Sequence, residues 1–111
     1  MKIIKNHPPR KFKPSKNIKI KDCARIYLNQ NKKVTFLTKK KQEYDICKKD
    51  WGFYATPSIN GRLKSYGFKT AIIKNIKTKK IYLFIIEKGK EKSFYKYLRE
   101  ENCKVLKWLS R

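Results

Sequence analysis

The sequence predicts an α+β fold: a twisted, mainly antiparallel sheet of about six strands with two helices packed on one face, preceded by a basic extended N-terminal arm. Three observations predict it. Apolar residues recur with a period of two along much of the chain, helical spacing interrupts that period twice, and residues 1–17 carry three prolines, six Lys or Arg and no acid. A chain of 111 residues supports one hydrophobic core and not two. The expected organisation is therefore an arm, residues 1–17, and a single α+β domain, residues 18–111.

Pro8, Pro9 and Pro14 remove backbone donors and fix φ, so the arm is expected to pack poorly as either helix or strand ladder. The folded domain is expected to begin near Asn17. From Ile18 to Cys47 the apolar positions alternate, as Ile18, Ile20, then Ala24, Ile26, Leu28, then Val34, Phe36, then Tyr44, Ile46. That is the pattern of half-buried antiparallel strands. Asn29-Gln30-Asn31 has the composition of a hairpin turn and Lys39-Lys40-Lys41 separates the next two runs, so a meander is the simplest connection.

The segment 51–63 is the least repetitive of the chain. Thr56 or Ser58 is expected to cap a helix with Pro57 in its first turn and Ile59, Leu63 and Tyr66 on one face. Gly67 should end it in the left-handed conformation. Gly61 weakens so short a helix by about 1 kcal/mol relative to Ala, which points to a close approach at that position, such as a neighbouring strand.

Residues 68–74 and 80–87 then read as two strands. Tyr82-Leu83-Phe84-Ile85-Ile86 is almost continuously apolar, so it is expected at the centre of the sheet, covered on both faces. Gly89 breaks it. Residues 90–102 follow as a helix with Phe94, Tyr97 and Leu98 on one face and Asn102 as its C-terminal cap, and 105–109 as a last strand.

Charge is the strongest functional signal: 31 Lys and Arg against 8 Asp and Glu give +23, a balance that attracts polyanions. Lys also greatly outnumbers Arg, and Asn and Ile are plentiful, which is the composition an AT-rich genome produces without any binding function. Aromatic residues interleave with the cations, and single-stranded nucleic acid is bound by stacking on rings while cations hold the backbone. The residues expected to bind RNA or single-stranded DNA are Arg10, Lys11, Lys13 and Lys16 in the arm and Trp51, Tyr54, Lys64 and Lys69 in the body. An anion site is also expected at the helix N-terminus, from Thr56, Ser58, Asn60 and Arg62, because unpaired amides and the helix dipole favour negative charge there. No RNP1-like string or GXXG loop offers sequence-specific readout.

Catalytic groups are scarce. The single histidine, His7, lies in the arm, the carboxylates are scattered, and Gly52, Gly61, Gly67 and Gly89 are too far apart for a phosphate loop. Cys23, Cys47 and Cys103 are odd in number and lack metal-ligand spacing, so no metal, cofactor or disulfide framework is expected. The N-terminus lacks the apolar run of a signal peptide and no stretch is long enough to span a membrane, so a cytoplasmic location is expected. The first expectation is a non-catalytic domain associating with nucleic acid or another polyanion. The alternatives are an accessory subunit docking through the aromatic 51–63 segment, and a small anion-binding module or enzyme at 56–62.

Overall fold

The computed structural model describes residues 1–16 and 18–110, and it overturns the expected single sheet: the chain is 58% strand and 13% helix, in three separate sheets of two or three strands. Two compact units divide the chain, Met1–Val34 with Ile46–Tyr54, and Thr35–Asp45 with Ala55–Arg111. The expected domain start at Asn17 lies outside the described residues.

In the first unit, β1 (Lys2–Ser15) pairs antiparallel with β2 (Ile18–Tyr27). The expected free arm is thus a strand. Its prolines are accommodated by register shifts: Lys5 faces Ala24 and Arg10 faces Asp22, so Pro8 and Pro9 sit in a stretch of four residues opposite the single Cys23. Pro14 falls in the second shift, between Phe12 opposite Ile20 and Ser15 opposite Ile18. A residue without an N–H is tolerated where the ladder is already interrupted, which is why the proline content misled the prediction. No described residue of this unit is fully buried.

A second sheet has the order β3-β4-β5, from β3 (Lys33–Leu37), β4 (Glu43–Lys49) and β5 (Gly52–Thr56). Residues 33–34, 46–49 and 52–54 belong to the first unit, and 35–37, 43–45 and 55–56 to the second. The β3–β4 connection is a hairpin at the expected lysine turn. The Thr38 N–H donates to the Gln42 carbonyl (3.1 Å), and Lys41 takes a positive φ of 62°. The Asn29–Asn31 turn, expected within a meander, instead joins strands of two different sheets.

The third sheet, wholly in the second unit, has the order β7-β6-β8, from β6 (Phe68–Asn75), β7 (Ile81–Glu87) and β8 (Cys103–Ser110). The strand of the notably apolar run, β7, is therefore an edge, and β6 is central. Alternation places Ala71 and Ile73 of β6 with Ile86 of β7 against Phe94 and Leu98 of α2 (Glu91–Glu100), and these five form the core. Phe94 and Leu98 are one turn apart on the helix, the spacing that presents an apolar stripe to a sheet. Phe84 and Trp108 meet Phe94 edge to face at 6.4 and 5.8 Å between ring centres. Phe68 and Thr70, on the other face of β6 by alternation, are buried as well, Phe68 against Tyr44. Coverage on both faces thus belongs to β6, by α2 on one side and Tyr44 on the other, although its own sequence is interrupted by Lys69, Thr70 and Lys74.

The first helix shrinks to α1 (Arg62–Ser65), capped by Gly61 with no side-chain hydrogen bond. Gly61 does mark a close approach, but by Ser58 and not by a strand: a Cβ there would lie 2.6 Å from the Ser58 Oγ. Gly67, Gly89 and Asn102 adopt positive φ at the expected breaks.

Asn75 ties the β6–β7 connection to the end of α2. Its Oδ1 accepts from the N–H groups of Lys77 (3.0 Å) and Thr78 (2.9 Å), while its Nδ2 donates to the Glu101 carbonyl (3.0 Å).

Two stability outcomes follow from this order. By chemical denaturation, Ile73→Ala should cost about 2–5 kcal/mol and Leu83→Ala on the exposed part of β7 under about 1 kcal/mol; equal losses would mean that β7 is buried after all. Asn75→Ala should cost about 1–3 kcal/mol from its lost hydrogen bonds, and a neutral result would remove Asn75 from that role.

Candidate nucleic-acid interface

The aromatic cluster is built by the turn end of the β4–β5 hairpin, residues 46–54, which lies in the first unit. With Asp50 and Trp51 as the turn, antiparallel pairing sets Lys48 across from Phe53 and Cys47 across from Tyr54, and both pairs are in contact. Gly52 follows the turn with φ 141°, a conformation that L side chains rarely adopt, while the space beside it is open. The glycine is required by the backbone and not by crowding.

Large rings stand in solvent here: Trp51 is 69% exposed, Phe53 60% and Tyr54 44%. Trp51 and Tyr54 stack on one another with centres 6.2 Å apart and planes inclined by 22°. The Lys48 ammonium lies 5.4 Å from the centre of the Phe53 ring and donates to the Lys49 carbonyl. Beside it, Lys49 Nζ donates to the Asn31 side-chain oxygen (2.7 Å). Hydrogen bonding to Cys47 pushes the Tyr54 phenol above its ordinary value. The ring stays neutral at physiological pH and adds no negative charge to a surface rich in cations.

The same unit carries the basic ribbon. Thirteen of the 31 Lys and Arg lie in it, but only two of the eight carboxylates, Asp22 and Asp50. Asp22 is engaged by Arg10, whose Nε donates to its Oδ2 at 3.1 Å. Lys11, Lys13 and Lys16 are exposed.

The other predicted residues belong to the second unit or end up elsewhere. Lys64 is exposed on α1, whereas Lys69 is half-buried and donates to the Glu91 carboxylate at 3.3 Å. The expected anion site at 56–62 loses the helix it required. Thr56 ends β5, Ser58 and Asn60 precede the helix, and Arg62 begins it, its guanidinium donating to the Tyr66 hydroxyl (3.3 Å) and lying 5.8 Å from that ring. A four-residue helix aligns too few peptide dipoles to define an anion site. Two residues missing from the predicted site, Lys48 and Phe53, belong to the aromatic cluster. Their signal was their equal distance from the Asp50-Trp51 turn, which becomes readable only once that segment is recognised as a hairpin.

Among the described residues, no group of three His, Cys, Asp or Glu side chains comes together to hold a metal ion, and no helix is long and apolar enough to cross a membrane. Compared with family models, curated proteins and solved structures, the chain finds no match in any of the three.

Glu91 gives a pH signature. Hydrogen bonding to Lys69, reinforced by the Gly89 N–H against the opposing effect of burial, holds its carboxyl below the ordinary value. A depressed folded-state value contributes stability that is present above the unfolded-state value and lost as pH falls through the folded one. Glu91→Gln should therefore lower Tm at neutral pH, and the difference should close as pH drops through and below the carboxylate range near about 4. A Tm difference that persists undiminished in acid would show that the pair is not the cause.

Proposed function

We propose that this chain binds single-stranded nucleic acid, RNA or DNA, through its first unit. The observation that supports the reading is the exposed aromatic hairpin, in which Trp51, Phe53 and Tyr54 stand in solvent with Lys48 and Lys49 beside them. Exposing rings forfeits the free energy of burying them, and a cluster of exposed apolar surface is characteristic of a binding site. Bases stack on such rings without regard to sequence, each contributing about 1–3 kcal/mol, while cations neutralise phosphates. The β1–β2 ribbon supplies those cations through Arg10, Lys11, Lys13 and Lys16. No base-edge readout is invoked, so the expected binding is tolerant of sequence.

A protein partner is the second reading, because exposed Trp and Tyr are also the residues that anchor protein interfaces. Affinity purification with and without nuclease separates the two: a stoichiometric protein retained after nuclease treatment supports the partner.

Binding of a short oligo(U) or oligo(dT), followed by Trp fluorescence, should weaken steeply as salt rises, since neutralised phosphates release counterions. Trp51→Ala and Tyr54→Ala should each weaken it by about 1–3 kcal/mol at fixed salt, and Lys11→Ala should lower the salt slope by about 1. Salt-insensitive or absent binding refutes the proposal.

A further inference from the structure

Independently of nucleic-acid binding, we propose that the outer edge of β7 docks an extended apolar segment of a partner protein that is flanked by acidic residues. The two edges of the third sheet are treated very differently by the sequence. β8 carries Lys104 and Lys107, and its pairing with β6 is interrupted by two register shifts, between Thr70 and Ala71 and between Ile72 and Ile73. Such charges and bulges are how natural edges avoid pairing with another strand. β7 has neither device. From Ile81 to Ile86 it has no charge and no proline, and it pairs with β6 without a shift, from Phe68 opposite Glu87 to Lys74 opposite Ile81.

Its apolar side chains are left in solvent, Ile81 at 60%, Tyr82 at 46% and Leu83 at 47% exposure. Along the other half of the strand an open groove of about 620 Å³ runs against α2, lined by Leu83–Glu87 with Lys90, Ser93, Phe94 and Tyr97. A straight edge with free backbone groups supplies affinity by strand addition, and the adjoining groove receives alternate side chains of the incoming segment.

Charge selects the occupant. The apolar run is bracketed by Lys79 and Lys80 at one end and by Lys88 and Lys90 at the other, with Glu87 the one acid between them. A second copy paired antiparallel about Phe84 would set Lys80 against Lys88 at both ends, and would bring together two chains of +23. A segment with an apolar centre and Asp or Glu at its ends satisfies both the edge and its rim.

The test uses the full chain and a fluorescein-labelled synthetic peptide of alternating valine and threonine, closed by aspartate pairs at both ends. The control peptide has the same aspartates around a glycine–serine centre, so it keeps the charge and lacks the strand pattern. Expected results are saturable binding of the first peptide, amide shifts concentrated on β7, and a loss of about tenfold or more in Leu83→Lys. The matching Leu106→Lys on β8 should bind as the parent does, and oligo(U) affinity should not fall in either variant. Equal binding of the glycine–serine peptide, equal loss in both variants, or amide shifts away from β7 would overturn the proposal. A dimer in sedimentation that Leu83→Lys dissociates would also overturn it, by assigning the edge to a second copy. The shift map on the parent chain decides the matter even if Leu83→Lys fails to fold.

Discussion

Burial of β6 between two partner strands is the constraint on which the second unit depends. Ala71 and Ile73 are inaccessible to water, and their face is closed by Phe94 and Leu98 of α2 together with Ile86. Remove that contact and α2 has nothing to cover, the β6–β7 ladder loses the layer packed on it, and the turn organised by Asn75 no longer has an α2 terminus to bind. The cluster is small, so individual side chains carry a large share of a marginal stability.

Against this stands a net charge of +23, whose self-repulsion opposes compaction. The chain meets it by keeping most cations at the surface and by local pairing. Lys69, half-buried beside the core, is matched by Glu91, whose position in the first turn of α2 also suits the helix dipole. The Lys96–Glu100 pair, 3.9 Å apart and exposed one turn along the same helix, is of the kind that contributes little. In the first unit thirteen cations stand against two carboxylates, Asp22 and Asp50, of which Asp22 pairs with Arg10. A ribbon with no fully buried side chain among the described residues has little to hold it beyond its own ladder.

Exposure of rings is what motivates the proposed function. In a small basic chain the economical place for a ring is the core, and Phe68, Phe84, Phe94 and Trp108 follow that rule. Trp51, Phe53 and Tyr54, at the turn of the β4–β5 hairpin and the start of β5, do not and stand 69%, 60% and 44% exposed. Sequence composition identified the segment as unusual and named Trp51 and Tyr54. It could not tell a capped helix from a hairpin, since Thr56-Pro57-Ser58 reads as a helix start while the pairing that competes with it involves residues on another strand.

What the sequence determined by itself was local: the period-two runs, the breaks at Gly67, Gly89 and Asn102, the amphipathic face of α2, and a surplus of cations that must lie largely on the surface. These follow from the conformations and solvation that each residue tolerates. The tertiary structure decided what depends on partners. β1 is a strand because β2 can pair with it around its prolines, and β6 is central and β7 an edge because of which strands flank them, not because of which is more apolar. The lysines sorted in the same way, Lys69 to Glu91 and Lys48 to Phe53, since a cation's neighbour across a sheet or on a packed helix is fixed by register and is invisible along the chain.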